Sequence, residues 1–139
     1  MRIISRFVGA PVLTLLMGAA IADQPLEIEL NRLESIDNGC RAYLVFRNPG
    51  EHNYASLKLD LVMFDVGGII SQRMVVEAAP LRPNKTTVKV FDLTGLKCDA
   101  VGRMLLNDVL SCTSDAKGEA GDCFDRIGLS SRAGVDFVR

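Results

Sequence analysis

Alternating apolar and polar residues recur in short stretches from residue 26 onward, which is the period of a half-buried β-strand. Residues 26–30 alternate leucine or isoleucine with glutamate, and the even positions between 40 and 46 are all apolar. Between residues 57 and 64 the odd positions are apolar, whereas Lys58 and Asp60 face the opposite way. Each stretch therefore predicts a strand with one face in the core and the other in solvent.

Turn residues separate these stretches. Residues 65–68 (DVGG) supply the positive backbone dihedrals of a tight hairpin, and residues 69–76 form the returning strand. Residues 86–91 are rich in β-branched side chains, and further strands are predicted over 123–129 and 135–138. Strands at this spacing predict an all-β fold, an immunoglobulin-like antiparallel β-sandwich of about seven strands.

The segment over residues 98–112 fits two structures. It can form an amphipathic helix, or a strand over 101–110. Gly102 and Asn107 are poor helix formers, and the surrounding pattern is β, so the composition favours the strand. A short helical turn near 96–101 is compatible with either structure.

The N-terminal residues have the pattern of an export signal. Arg2 and Arg6 precede an apolar run of 15 residues, and residues 20–22 (AIA) have the small-x-small pattern of a cleavage site. The alternative is a membrane anchor, but the run is shorter than the roughly 20 residues that span a bilayer. We predict a cleaved signal peptide over residues 1–22, one β-sandwich domain over residues 23–139, and no membrane span after cleavage.

The charge of the exported chain argues against nucleic-acid binding. Loss of Arg2 and Arg6 leaves 14 basic residues against 17 acidic ones, a net charge of −3. The charges are scattered singly, so no basic stripe is available to follow a phosphate backbone. No motif indicates a cofactor.

All four cysteines lie in the exported part, which predicts two disulfides and a periplasmic or secreted location. Three pairings are open. In an immunoglobulin-like path, the second strand and the strand near Cys98 run roughly parallel in opposite sheets, which favours Cys40 with Cys98 and Cys112 with Cys123. Metal or redox chemistry is the alternative, but Cys-x-x-Cys and zinc-type spacings are absent.

Residues for catalysis are sparse. His52 is the single histidine, and no serine lies in a Gly-x-Ser-x-Gly elbow. A carboxylate pair such as Asp60 with Asp92 leaves a small hydrolase open, and Tyr54 is a candidate platform for a ligand. We predict no catalytic and no metal-binding residues, and a protein that is not an enzyme.

Four stretches are the most distinctive parts of the chain: residues 40–46 (CRAYLVF), 56–65 (SLKLDLVMFD), 89–93 (KVFDL) and 98–112 (CDAVGRMLLNDVLSC). With them the sequence resembles a family of small exported alphaproteobacterial proteins, often labelled only as twin-arginine-signal domain proteins. Arg2 and Arg6 are not adjacent, so the sequence itself does not support the twin-arginine route. The resemblance implies the periplasm of a Gram-negative host and transfers no catalytic residue.

These observations favour a non-enzymatic binding or adaptor module of the cell envelope, whose partner is another envelope protein. An unpaired edge strand can accept a strand of that partner. Ser130, Ser131 and Arg132 form a candidate contact loop. The alternative is an inhibitor of an envelope hydrolase, which would present residues 117–121, tied off by the cysteines at 112 and 123.

Overall fold

The protein has an all-β sandwich architecture, which confirms the predicted fold class. The computed structural model describes Gly18, residues 24–114 and residues 123–139. The predicted signal peptide lies outside these ranges except for Gly18, and so do residues 117–121, the loop considered for an inhibitor. Within the described ranges, no helix is long and apolar enough to cross a membrane.

Eight strands and one short 3-10 helix are described. The strands are β1 (Leu26–Ile36), β2 (Gly39–Asn48), β3 (Tyr54–Phe64), β4 (Ile70–Glu77), β5 (Lys85–Thr94), β6 (Arg103–Ser114), β7 (Ile127–Ser131) and β8 (Asp136–Val138), and the 3-10 helix is Cys98–Ala100. The first sheet has the order β5-β2-β1-β7, and the second has the order β4-β3-β6-β8.

The first six strands follow the predicted immunoglobulin-like order, with β1, β2 and β5 in one sheet and β4, β3 and β6 in the other. The last two strands depart from the predicted antiparallel pairing. β7 runs parallel to β1, and β8 runs parallel to β6, so both sheets are mixed. A turn at residues 132–135 carries the chain from one sheet to the other, so the strands predicted over 123–129 and 135–138 lie in different sheets.

The core lies between the two sheets and is built from the predicted alternation. Cys40, Ala42, Leu44 and Phe46 of β2 are all buried. They face the odd positions between 57 and 63 of β3, which are buried as well. Alternation therefore places one row of apolar side chains from each central strand in a shared interior.

The ambiguous segment is a strand preceded by a helical turn. β6 begins at Arg103, and the 3-10 helix at Cys98–Ala100 lies within the predicted turn. Two register shifts against β3 leave one extra β6 residue each, Leu110 and Asn107. The strand predicted over 123–129 begins later than expected, because residues 123–126 form a turn.

Two disulfides are present, and they join the favoured pairs. Cys40 at the start of β2 is bonded to Cys98, with 4.9 Å between the Cα atoms. Cys112 near the end of β6 is bonded to Cys123, with 6.5 Å between the Cα atoms. The first bond links the first sheet to the segment that enters the second, and both are consistent with an oxidising compartment.

Candidate functional site

The candidate contact loop is mostly a strand. Ser130 and Ser131 belong to β7, which corrects the expectation that they lie in a loop. The Ser131 hydroxyl donates to the carbonyl oxygen of Val135 and accepts from the amide of Ala133 (3.2 Å), so it stabilises the turn that follows. Ser130 and Arg132 are exposed, and Ser131 is partly buried.

Arg132 contributes to an ion-pair cluster on the outer face of the first sheet. Its Nε lies 3.4 Å from Oε2 of Glu29, a carboxylate that is almost fully buried. Arg47 Nη1 lies 3.3 Å from the same oxygen, and Asn31 Nδ2 donates to Oε1 at 2.7 Å. The hydrogen bond from Asn31, together with the two arginines, lowers the pKa of Glu29. Such a carboxylate stays ionised and is unsuited to act as a general acid.

The other sequence candidates for chemistry have structural partners. Asp60 and Asp92 lie in strands of different sheets, and Asp92 is ion-paired with Arg41 at 2.7 Å. The carbonyl oxygen of His52 accepts a hydrogen bond from the buried Asn48 side chain at 2.7 Å. Tyr54 is half-buried against the core, and this burial raises the pKa of its hydroxyl.

Asp60 is buried on the outer face of the second sheet, although its position in the alternation indicated solvent. Arg73 of β4 binds it with two hydrogen bonds, Nε to Oδ1 at 2.8 Å and Nη2 to Oδ2 at 2.9 Å. Asn107, the extra residue of one β6 register shift, donates to Oδ2 at 2.7 Å. The bulge therefore turns a third donor toward the carboxylate.

The Asp60 cluster is a structural ion pair rather than an acid-base site. The hydrogen bonds from Arg73 and Asn107 lower the pKa of Asp60 and outweigh its burial. Every buried side-chain nitrogen and oxygen in the described part of the chain has a hydrogen-bond partner. Among those residues, no group of three or more His, Cys, Asp or Glu side chains could hold a metal ion.

Among the residues that the structure describes, the most exposed large aliphatic side chains lie at the turn between β3 and β4, which we call the hairpin tip (residues 65–70). Val66 is 81% exposed, Ile69 67% and Ile70 62%. Three aliphatic side chains within five consecutive residues give the tip an apolar surface that water solvates poorly. Apolar surfaces of this kind mark sites of contact with other molecules.

The hairpin tip is closed by hydrogen bonds of the Asp65 side chain and of its own backbone. Oδ1 of Asp65 accepts from the amides of Gly67 and Ile69, both at 2.9 Å. The Asp65 amide donates to the Ile69 carbonyl at 2.7 Å, and Gly68 adopts the positive φ of +82° that the turn requires. The aliphatic side chains are therefore presented by a closed turn.

The base of the hairpin is fixed to β6. The amide of Gly102 donates to the carbonyl oxygen of Phe64 at 2.8 Å, and a Cβ at Gly102 would collide with the Asp65 backbone. The Arg103 guanidinium lies 4.9 Å from the centre of the Phe64 ring. A rigid base and a rigid turn lower the entropy that is lost when a partner binds.

Each sheet also has one long open edge, and the two edges differ. β5 carries Val88 and Val90 exposed on its outer face, but Lys89 lies on the inner side opposite Leu44. A lysine that points inward on an edge strand disfavours pairing with another strand. Between Arg73 and Glu77, β4 carries only apolar residues. β4 is therefore the less protected edge.

The sequence pattern contained one signal for the hairpin tip. Ile69 and Ile70 are consecutive, and adjacent strand residues face opposite sides, so the two side chains cannot both face the core. The protection of Asp60 left no such signal, because Arg73 and Asn107 come from two other strands.

Comparison of the chain with protein-family models, with curated proteins and with solved structures finds no match.

Proposed function

We propose that the protein is a non-enzymatic binding module of the cell envelope, exported to the periplasm, which contacts another envelope protein through the hairpin tip. The observation that carries this proposal is the exposure of Val66, Ile69 and Ile70 on a turn closed by hydrogen bonds. The partner presents an apolar pocket that takes up these side chains. Full burial of one such side chain contributes about 1.5 to 3 kcal/mol.

The state of the buried carboxylates supports binding rather than catalysis. Hydrolytic carboxyl pairs keep one member protonated by raising its pKa. In this protein the pKa values of both Glu29 and Asp60 are lowered by hydrogen bonds from neighbouring side chains. The two disulfides support an oxidising compartment, such as the periplasm.

The test places a photo-reactive side chain at Ile69 and, as a control, at Val88, an exposed aliphatic position in β5. Crosslinking in the host envelope is followed by purification of the captured protein and by a direct binding measurement between the two pure proteins. We expect capture from position 69 and not from position 88.

The pair V66S/I69S is then compared with V88S/V90S in the same binding measurement. We expect V66S/I69S to raise the Kd for the partner about 100-fold, because two aliphatic contacts are lost. V88S/V90S should leave this Kd unchanged. Equal effects of both pairs, or none from the tip pair, would contradict the proposal. If the captured protein is a hydrolase that the pure chain inhibits, the alternative role as an inhibitor replaces that of an adaptor.

A further inference from the structure

The free backbone groups of β4 can be assigned from one hydrogen bond. The amide of Ala78 donates to the carbonyl oxygen of Leu57 in β3 at 2.8 Å, so residue 78 faces β3. Backbone groups alternate in direction along a strand. The amides and carbonyls of Arg73, Val75 and Glu77 therefore point away from β3, to the open edge of the second sheet.

These three residues are self-complementary when two copies of β4 meet antiparallel. A register centred on Val75 places Arg73 of one copy opposite Glu77 of the other, on both sides of a two-fold axis. A register centred on Arg73 places two arginines opposite each other, and one centred on Glu77 places two glutamates opposite each other. Directly opposed like charges destabilise a strand pair, whereas opposite charges stabilise it.

The side chains agree with this register. Val75 meets Val75, and its 53% exposure in the single chain leaves apolar surface to bury. Met74 meets Val76 on the inner face, which continues the core side of the second sheet. We propose that a second copy of this chain pairs with β4 in the register centred on Val75, joining two second sheets into one sheet of eight strands.

Contacts within one chain hold both charged residues in place for this pairing. Arg73 is fixed by Asp60, yet its side chain remains 63% exposed, so a second carboxylate can approach the guanidinium. Oε1 of Glu77 accepts from the amides of Leu57 and Ala79, and Oε2 accepts from the Ser56 hydroxyl at 3.2 Å. A carboxylate has about four acceptor positions, which leaves capacity for an arginine of the other copy.

Antiparallel pairing points the two hairpin tips in opposite directions. Ile70 lies five residues from Val75, which corresponds to about 17 Å along an extended strand. The dimer therefore carries two tips about 34 Å apart, at opposite ends of the paired strands. Only this bivalent use rests on the proposed function, because the pairing of β4 depends on neither the tip nor its partner.

The mass of the purified protein in sedimentation equilibrium tests the pairing, with V75K compared with V90K. Both positions are about half exposed on the outer face of an edge strand, so each lysine is expected to be tolerated in the single chain. We expect the native chain and V90K to be dimeric and V75K to be monomeric, with a dissociation constant raised at least about 100-fold. A native chain that is monomeric, or equal masses of V75K and V90K, would overturn the inference.

Disulfide trapping provides a second measurement that does not depend on how V75K folds. Cα atoms of a hydrogen-bonded antiparallel pair lie about 5.5 Å apart, which a disulfide can bridge. V75C should therefore form a covalent dimer on oxidation, and V88C should not. A V75C chain that stays monomeric contradicts the register. V66S/I69S should keep the dimeric mass, so a failed tip contact and a failed pairing give different results.

Discussion

Each sheet buries one carboxylate on its outer face, yet the two are held differently. Glu29 in the first sheet has one short hydrogen bond, from Asn31, and two arginines at 3.3 and 3.4 Å. Asp60 in the second sheet has three bonds of 2.7 to 2.9 Å, two of them from the single guanidinium of Arg73. The tighter cluster is the one that anchors an open edge strand.

The two open edges also differ in how well they are protected against pairing with another strand. The first sheet ends in β5, where Lys89 points inward and disfavours a further strand. The second sheet ends in β4, which has no lysine and leads directly from the exposed hairpin tip. Rigidity and accessibility therefore coincide in this molecule, because the edge strand best fixed from within the chain, β4, is also the one best suited to contact another molecule.

The largest effect on the unfolding free energy is expected from removal of the disulfides. C40S/C98S removes the crosslink between residues separated by 58 positions. In the chain-entropy description, this loss lowers the unfolding free energy by about 4 kcal/mol. For the separation of 11 residues in C112S/C123S the same description gives about 3 kcal/mol. Denaturant unfolding of both double variants measures the difference. An equal or reversed order would show that the bond at the second sheet contributes more than loop closure.

The buried faces of the central strands and the disulfide pairing could be predicted from the sequence. Alternation identified the buried face of β2, and the order of the early strands favoured Cys40 with Cys98. The two parallel pairings could not be predicted, because β7 has five residues and β8 has three, too few for a pattern to indicate direction. Pairing there depends on the turn that crosses between the sheets.

The candidate site was predictable only in part. Residues 65–68 indicated a hairpin, but exposure of Val66 and Ile69 depends on how the tip projects from the finished sandwich. Asp60 was expected in solvent because alternation assigns it to the outer face. Its burial requires Arg73 and Asn107, and Asn107 is 47 residues away in the sequence. Contacts between residues so far apart in the sequence depend on which strands are neighbours in the sheet, here β4 and β6 on either side of β3.

A smaller effect is expected from the buried carboxylates. Charge-assisted hydrogen bonds are lost in both D60A and E29A, and we expect D60A to lower the unfolding free energy by about 2 kcal/mol and E29A by about 1 kcal/mol. The reason for the order is the number of short bonds at Asp60. Denaturant unfolding at neutral pH measures both. A larger loss in E29A would mean that the pair of arginines on the first sheet is the stronger cluster.

Acidification should reduce the stabilisation by both buried carboxylates. The pKa values of Asp60 and Glu29 are lowered in the folded chain, so their stabilisation is present above the ordinary values of 3.8 and 4.5. It is lost as the pH falls through the lowered folded values. D60N and E29Q should each flatten this acid-induced loss, because the substituted amides do not titrate. Variants that lose stability on acidification as steeply as the native chain would contradict these assignments.

The smallest expected effect concerns the lysine that protects β5. In a V75K chain, whose β4 pairing is disfavoured, adding K89V removes the inward charge from the other edge and should allow weak association through β5. Adding K97V instead removes an equal charge outside the edge strands and should leave the chain monomeric. Sedimentation at increasing concentration compares the two. If both remain monomeric, Lys89 is not the group that keeps the β5 edge unpaired. If both associate, the change in net charge is responsible. Either result would contradict the assignment of the contrast between the two edges to Lys89.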